Sequence, residues 1–288
     1  MKTTILVTGA TGTVGREVVK ALEAIKDVQV KAFVRDTSKA KALQWPNVTL
    51  TQGDLAKKDT IEKALQGVDK VFLLSNADQK QTELQGNVVD AAKKAHVKYI
   101  VKLSALGTSA DSPISLARWH RQTEVEIEKS GIAYTHLHPH FFMQNFLMFA
   151  ATIKKDGVFY APMKDAKMSM VDARDIAGVA ATVLTTTGHE GKTYDITGPA
   201  PLSFTEAAAT LTEILGKTVK YVSVTLDDLR KTLHSMGLPA WFVEDMAKLY
   251  EFFSSGKAAF VTPTVSQVTK KTGHTFHQFA KDYVENFK

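Results

Sequence analysis

The 288-residue sequence contains no cysteine. That absence removes disulfides, thiolate zinc sites and cysteine nucleophiles together, and it fits a reducing compartment. Long hydrophobic runs are missing as well: no apolar stretch reaches the ~20 residues that a bilayer-spanning helix needs. Met1 and Lys2 lead straight into an apolar strand pattern, so no signal peptide is expected ahead of the fold. These absences lead to the expectation of a soluble, cytoplasmic protein with no membrane partner. Blocks of one charge are also lacking. Lys and Arg (36) exceed Asp and Glu (30), for a net charge of +6. The cations are scattered, as at Lys39, Lys41, Lys57, Lys58, Lys93 and Lys94, which is how solvated helix faces look. Without a basic stripe or a zinc-finger signature, nucleic acid is not an expected partner.

What is present is a large core and one conspicuous turn. Hydrophobic residues make up 44% of the chain and charged residues 23%, proportions of an ordinary globular protein. Ile5, Leu6 and Val7 read as a buried strand. Gly9, Gly12 and Gly15 punctuate a turn, and 16–25 continues with helical spacing of Val18, Val19, Leu22 and Ile25. Glycines between a strand and a helix let backbone N–H groups approach a pyrophosphate, to which the helix N-terminus adds partial positive charge. The spacing is Gly-x-x-Gly-x-x-Gly, the short-chain dehydrogenase/reductase form of this turn. A bound dinucleotide is expected.

Strand and helix patterns then alternate. Strands are expected at 28–34, 47–52, 69–74, 99–103 and 133–137, with helices at about 60–66, 79–95 and 114–129 between them. This alternation argues βαβ units and a parallel sheet. The apolar, aromatic segment 139–151 reads as a helix covering the cofactor end of the sheet. Segment 168–185 is a short strand running into a helix capped by Asp172 or Asp175, and 192–197 is another strand. From Ser203 the pattern is mostly helical (203–216, 227–237, 239–253, 276–287), with one strand at 218–224. The fold class expected is therefore α/β, with a doubly wound parallel sheet over residues 1–200 and a smaller, mainly helical lobe over 201–288. The last helix of that lobe could pack back on the first domain.

Four positions bear on chemistry. At the end of the second strand, an acid would bind the ribose of NAD, whereas an arginine meets the 2′-phosphate of NADP. Arg35 stands there, with Asp36 as competitor, and NADP(H) is the expected cofactor. The Tyr-x-x-x-Lys acid/base pair of short-chain enzymes is missing from the helix after the fifth strand. The one copy in the chain, Tyr160 to Lys164, contains Pro162, which argues against a helix. His120 and Glu124, four apart, are the ionisable candidates on one face of that helix. His120 is the candidate proton donor because imidazole titrates near neutrality, and the alternative is a surface histidine paired with Glu124. His136, His138 and His140 alternate along a strand, but with no carboxylate at ligand spacing no metal is expected. Phe141, Phe142, Phe146 and Phe149 are either core or an apolar wall over the cofactor.

Taken together, VTGATGTVG, VRD at 34–36, GDL at 53–55, H-x-x-x-E at 120–124, SGIAYTHLHP at 130–139 and FMQN at 142–145 resemble the NmrA-like family of atypical short-chain dehydrogenase/reductases. The likeness extends to VDARDIA at 171–177 and to the tail TKKTGHTFHQFAKDY. It implies a Rossmann-type domain with a small C-terminal lobe, a cleft between them, and NADP(H). Carried over, it places Gly9, Thr11, Gly12, Thr13 and Val14 on the pyrophosphate and Arg35 on the 2′-phosphate. Asp54 and Leu55 would flank the adenine, and Ser75 and Asn76 would line the ribose side. Ser104, Pro139, Phe141 and Phe142 would lie near the nicotinamide. Two departures stand out: His120 occupies the place of a lysine in isoflavone-reductase-like enzymes, and His138 replaces the family's arginine.

The leading expectation is an NADPH-dependent reductase of small, flat, electron-poor substrates such as quinones, with His120 or water completing protonation. A phenolate product is stabilised, which makes a strong protein acid less necessary. The rival is a non-catalytic, NADP(H)-sensing regulatory protein. A sugar-nucleotide epimerase is disfavoured because its oxidation step needs the missing tyrosine. A homodimer or a regulatory protein partner stays open.

Overall fold

The computed structural model describes residues 2–288. The first half alternates β1 (Thr3–Val7), α1 (Thr13–Glu23), β2 (Val28–Val34), β3 (Val48–Gln52), α2 (Lys58–Ala64), β4 (Lys70–Leu73), α3 (Gln81–Lys94), β5 (Tyr99–Leu103), α4 (Ser115–Ser130) and β6 (Ala133–Pro139). There follow α5 (Ala150–Asp156), β7 (Val158–Ala161), β8 (Lys167–Met168), α6 (Ala173–Thr185), β9 (Lys192–Ile196), β10 (Leu202–Ser203), α7 (Phe204–Leu215) and β11 (Lys220–Ser223). The tail is helical: α8 (Leu226–Ser235), α9 (Ala240–Ser254), α10 (Thr264–Thr269), α11 (Phe276–Asp282) and α12 (Val284–Phe287).

Seven strands make one parallel sheet in the order β3-β2-β1-β4-β5-β6-β9. The order reverses between β1 and β4, the switch point where open sheets of this kind bind ligands. Strand alternation sends Ile5, Val7, Val101 and Leu103 to one face, against Val18, Val19 and Leu22 of α1 and Ile176, Val179 and Val183 of α6. Leu6, Val71, Leu73 and Ile100 go to the other face, against Ile61 of α2, Val88 and Ala92 of α3 and Ile127 of α4. A doubly wound α/β sheet results, as the alternation predicts.

A third cluster lies off the sheet. Phe159, Phe204 and Phe276 pack edge to face around Phe146, joined by Met163, Leu211, Phe253, Phe279 and Phe287. It draws on 143–170 as well as 202–287. Two local expectations are corrected here. Segment 139–151 is not one helix over the sheet ends: β6 continues to Pro139, and a 3-10 turn over Met143–Phe149 feeds α5. Of the two alternatives for Phe146, the structure takes the core: the ring is fully buried in this aromatic cluster. Tyr160, expected outside a helix, lies in β7, which pairs in parallel with β11. The expected helix 276–287 is broken at Tyr283 into α11 and α12.

Candidate active site

The glycine turn has the geometry its sequence calls for. Gly9 adopts φ +60°, a left-handed conformation that a side chain would strain, and a Cβ there would lie 2.9 Å from Leu74 Cγ. A Cβ on Gly15 would run into the Gly9 carbonyl, so only glycine lets α1 start this close to the strand. Thr8 Oγ1 donates to the Leu74 carbonyl at 2.7 Å and accepts from the Leu74 N–H at 2.8 Å, which clamps the ends of β1 and β4. Gly12, the residue that caps α1, offers no side chain, and the first turn of α1 holds no acid. The opening N–H groups and the positive end of the helix are thus left for an anion.

A cleft of about 370 Å³ opens in front of this turn. Gly9, Thr11, Gly12, Arg35, Asp54, Leu55, Ser75 and Asn76, eight of the positions singled out from the sequence, line it together. Thr13 and Val14 form the first turn of α1 beside it, with the Val14 side chain buried in the core. The sequence reading missed Phe33, Gly53, Asp78 and Leu84, which also face the cleft. Arg35 is exposed at its rim. Its competitor Asp36 is committed elsewhere: Oδ1 accepts from Ser38 N–H at 2.9 Å and Ser38 Oγ at 2.7 Å, capping the turn over Thr37–Leu43. Those bonds from Ser38 hold the Asp36 carboxyl below its usual range.

Ser104, Pro139, Phe141 and Phe142 do not line this cleft; they sit at and just beyond the carboxyl ends of β5 and β6. The Leu106 N–H donates to the Pro139 carbonyl at 3.1 Å, joining the two ends. Phe142 pairs with Val171 and packs on the sheet core. Phe141 turns to the C-terminal lobe, 5.5 Å from the Phe253 ring and 6.2 Å from that of Tyr250. Nearby Phe252 and Phe260 are 44% and 41% exposed, an aromatic surface at the same end of the sheet.

Behind these strand ends lies a polar network under α4. Alternation puts Lys102 of β5 and Ser104 just after it, and His136 and His138 of β6, on the face that α4 covers. His120 is not paired with Glu124. Its Nδ1 lies 3.0 Å from Lys102 Nζ, because Glu124 is taken by Ser104 Oγ, His138 Nε2 at 2.7 Å and Arg121 at 3.0 Å. Burial pushes the Glu124 carboxyl up, but the bonds from His138 and Ser104 outweigh it and hold the group at about 2. His120 is held well below 6.5, first by burial and then by Lys102, so a free imidazolium is not its resting form at neutral pH. This corrects the expectation that His120 titrates near neutrality.

His138, in the place of the family's arginine, bridges Glu124 to Asp195 of β9, with Nδ1 3.5 Å from Asp195 Oδ1. The histidines of β6 do meet carboxylates, brought by α4 from a distance in sequence. Glu124, Glu128 and His136 converge as closely as a cation would need. The Arg121 guanidinium fills that role, donating to both carboxylates and doubly to Glu128. His140 parts from the other two, its Nε2 reaching the Ala258 carbonyl at 3.1 Å.

The chain as a whole is similar to proteins of known activity. An NAD(P)H azoreductase from Xenophilus azovorans is 41% identical over 283 residues, 98% of this chain and 99% of that one. The Escherichia coli NADPH-dependent quinone oxidoreductase QOR2, solved with NADPH, superposes with a TM-score of 0.85 at 34% identity, covering 98% of this chain and 99% of its own. Citrobacter sp. triphenylmethane reductase, solved with NADP(H), gives 0.84 at 31% identity, over 96% and 99%. The model of the NmrA-like family matches residues 1–280, from the strand before the glycine turn to the C-terminal helices, and with that match this chain belongs to the NmrA-like family.

Proposed function

We infer that this protein is an NADPH-dependent reductase of small, flat, electron-poor aromatic acceptors, among them quinones and azo compounds. The observation that carries the reading is the cleft: eight positions singled out from the sequence line it, beside an uncapped helix N-terminus. Arg35 stands free at its rim for a 2′-phosphate, while Asp36 is engaged by Ser38. The pyrophosphate would rest on Gly9, Thr11, Gly12, Thr13 and Val14, and the adenine between Asp54 and Leu55. Ser75 and Asn76 would meet the ribose side. The nicotinamide would then reach the ends of β4 to β6, near Ser104, Pro139, Phe141 and Phe142. When bound, NADPH supplies the hydride.

The chain's own residues bind, orient and protonate. Phe141, backed by the buried Tyr250 and Phe253, and the exposed Phe252 and Phe260 offer aromatic faces on which a flat acceptor stacks. His120, partly exposed, presents Nε2–H as the proton donor once Nδ1 is engaged by Lys102. Each of the three relatives described above carries the name of a reductase, which supports turnover over the sensing role of a regulatory protein. The test is to mix the protein with NADPH or NADH and a panel of quinones, azo dyes and triarylmethane dyes, and to follow nicotinamide absorbance. NADPH should be consumed with at least one acceptor and be preferred over NADH. Tight NADPH binding without turnover of any acceptor would reject the enzyme in favour of the sensor.

A further inference from the structure

Lys102 is an unusual residue for the middle of a parallel sheet. It is fully buried on β5. Its three N–H donors have three acceptors: Gln85 Oε1 at 2.9 Å, the Leu103 carbonyl at 3.2 Å and His120 Nδ1 at 3.0 Å. The groups facing it are Gln85 from α3, His120 and Glu124 from α4, and His136, its register partner on β6; its register partner on β4 is Leu73. Glu124 is the one carboxylate among them and makes no direct bond to Lys102. Gln85, itself 1% exposed, continues the chain. Lys102 only donates, so the Gln85 oxygen must face it, and the amide nitrogen donates to Ser75 Oγ at 2.8 Å in the cofactor cleft. An unbroken line, Ser75–Gln85–Lys102–His120, thus joins the cleft wall to the partly exposed imidazole.

We propose that Lys102 is the proton reservoir of the site and acts through His120, equipping the protein for acceptors that must take a proton together with the hydride, the azo bond above all. The proposal rests on the reductase reading given above. The step balances as follows. The hydride, with its electron pair, leaves the nicotinamide and bonds to one azo nitrogen. The other nitrogen takes the proton on His120 Nε2. His120 Nδ1 takes a proton from Lys102 Nζ, so the imidazole ends as its other neutral tautomer and never as a cation. The products are a hydrazo compound, NADP+ and a neutral Lys102 amine; after release, solvent protonates His120 Nε2 and the Nδ1 proton returns to Lys102, which restores the starting tautomer. Burial, opposed in part by Glu124, brings the Lys102 ammonium down to about 7, so both of its forms are accessible at neutral pH. A hydride added to an azo bond without a proton leaves a strongly basic nitrogen anion. A triarylmethane cation needs the hydride alone.

The two acceptor classes separate the possibilities. NADPH oxidation by an azo dye and by a cationic triarylmethane dye is followed in single turnovers for wild type and Lys102→Met, with NADPH affinity measured alongside. The wild-type azo rate should fall as pH rises through about 7 while the triarylmethane rate stays flat. Lys102→Met should lower the azo rate at least tenfold, abolish its pH dependence, and leave triarylmethane reduction and NADPH affinity within twofold. Equal losses on both acceptors, or no loss on either, would overturn the relay and leave Lys102 a structural residue. The wild-type pH profiles decide the matter even if the variant does not fold, since parallel profiles for the two acceptors also overturn it. Wild type that oxidises NADPH with quinones but with neither dye overturns the azo proposal alone, whereas wild type that oxidises NADPH with no acceptor at all refutes the reductase reading itself.

Discussion

Arg35 is the side chain that would set cofactor choice in the proposed reductase. Its guanidinium stands at the rim of the cleft, and the neighbouring acid that would favour a 2′-hydroxyl is spent on Ser38. A charge-assisted contact of this kind is worth about 2 kcal/mol, roughly thirtyfold in affinity. Arg35→Gln should therefore raise Kd for NADPH by about that factor and leave NADH nearly unchanged, as read by nicotinamide fluorescence titration. Releasing Asp36 with Ser38→Ala should move preference the same way by a smaller step. At this scale the cleft was legible because its residues follow strand ends directly: Gly9, Arg35, Asp54 and Ser75 each sit where one predicted strand stops. Lys102 and Gln85 were not. Lys102 reads as a strand lysine and Gln85 as a helix-surface glutamine, and only the crossing of α3 over β5 brings the two together.

Among the elements, α4 depends most on tertiary structure. Its N-cap position is Ile114, which has no side-chain acceptor to offer. Asp245 of α9 supplies one from 130 residues away, accepting from Ser115 N–H at 2.8 Å and Leu116 N–H at 2.9 Å. Lys248 adds a bond to the Pro113 carbonyl, and Trp119 meets Trp241 edge to face at 5.1 Å. The C-terminal lobe thereby holds the helix that carries His120. Asp245→Ala should cost about 1–2 kcal/mol, the value of a lost cap, and lower Tm accordingly. Because His120 lies within the second turn, kcat should fall more than NADPH affinity. Asp245→Asn, with one acceptor left, should recover part of both. Local pattern could show that α4 ends at Gly131, whose φ is +82°, but not what starts it. The aromatic segment 139–151 was misread for a related reason: a run apolar on all sides has no periodicity to say which core will claim it. Phe146 went to the third cluster, off the sheet, because Phe159, Phe204 and Phe276 offered it edge-to-face partners there.

For the whole molecule, His140 should make the join between the sheet and the third cluster sensitive to acid. It follows β6 directly, stacks on Phe253 at 5.6 Å, and is 2% exposed. Its ring is committed at both nitrogens. Nδ1 accepts from the Phe141 N–H at 2.7 Å, so Nε2 carries the hydrogen and donates to the Ala258 carbonyl at 3.1 Å. Burial lowers this imidazole to about 4, against a smaller upward pull from the Ala258 bond. Protonating Nδ1 would also set two N–H groups against each other. Since the folded value lies below the unfolded 6.5, the unfolded chain binds more protons between the two, and stability rises with pH across that window. The contribution is fully present above about 6.5 and is lost as pH falls toward 4, amounting to about 2 kcal/mol by pH 4.5. His136, also lowered to about 4 by burial, acts in the same direction, while Glu124 contributes only below about 4.5. Urea unfolding at pH 7 and pH 4.5 should therefore show a marked loss in wild type. In His140→Asn, whose Oδ1 can still accept from Phe141, stability at pH 7 should be lower but the loss on acidification smaller by about 2 kcal/mol. Equal losses in the two proteins would mean that His140 is not the group through which acid loosens the lobe from the sheet.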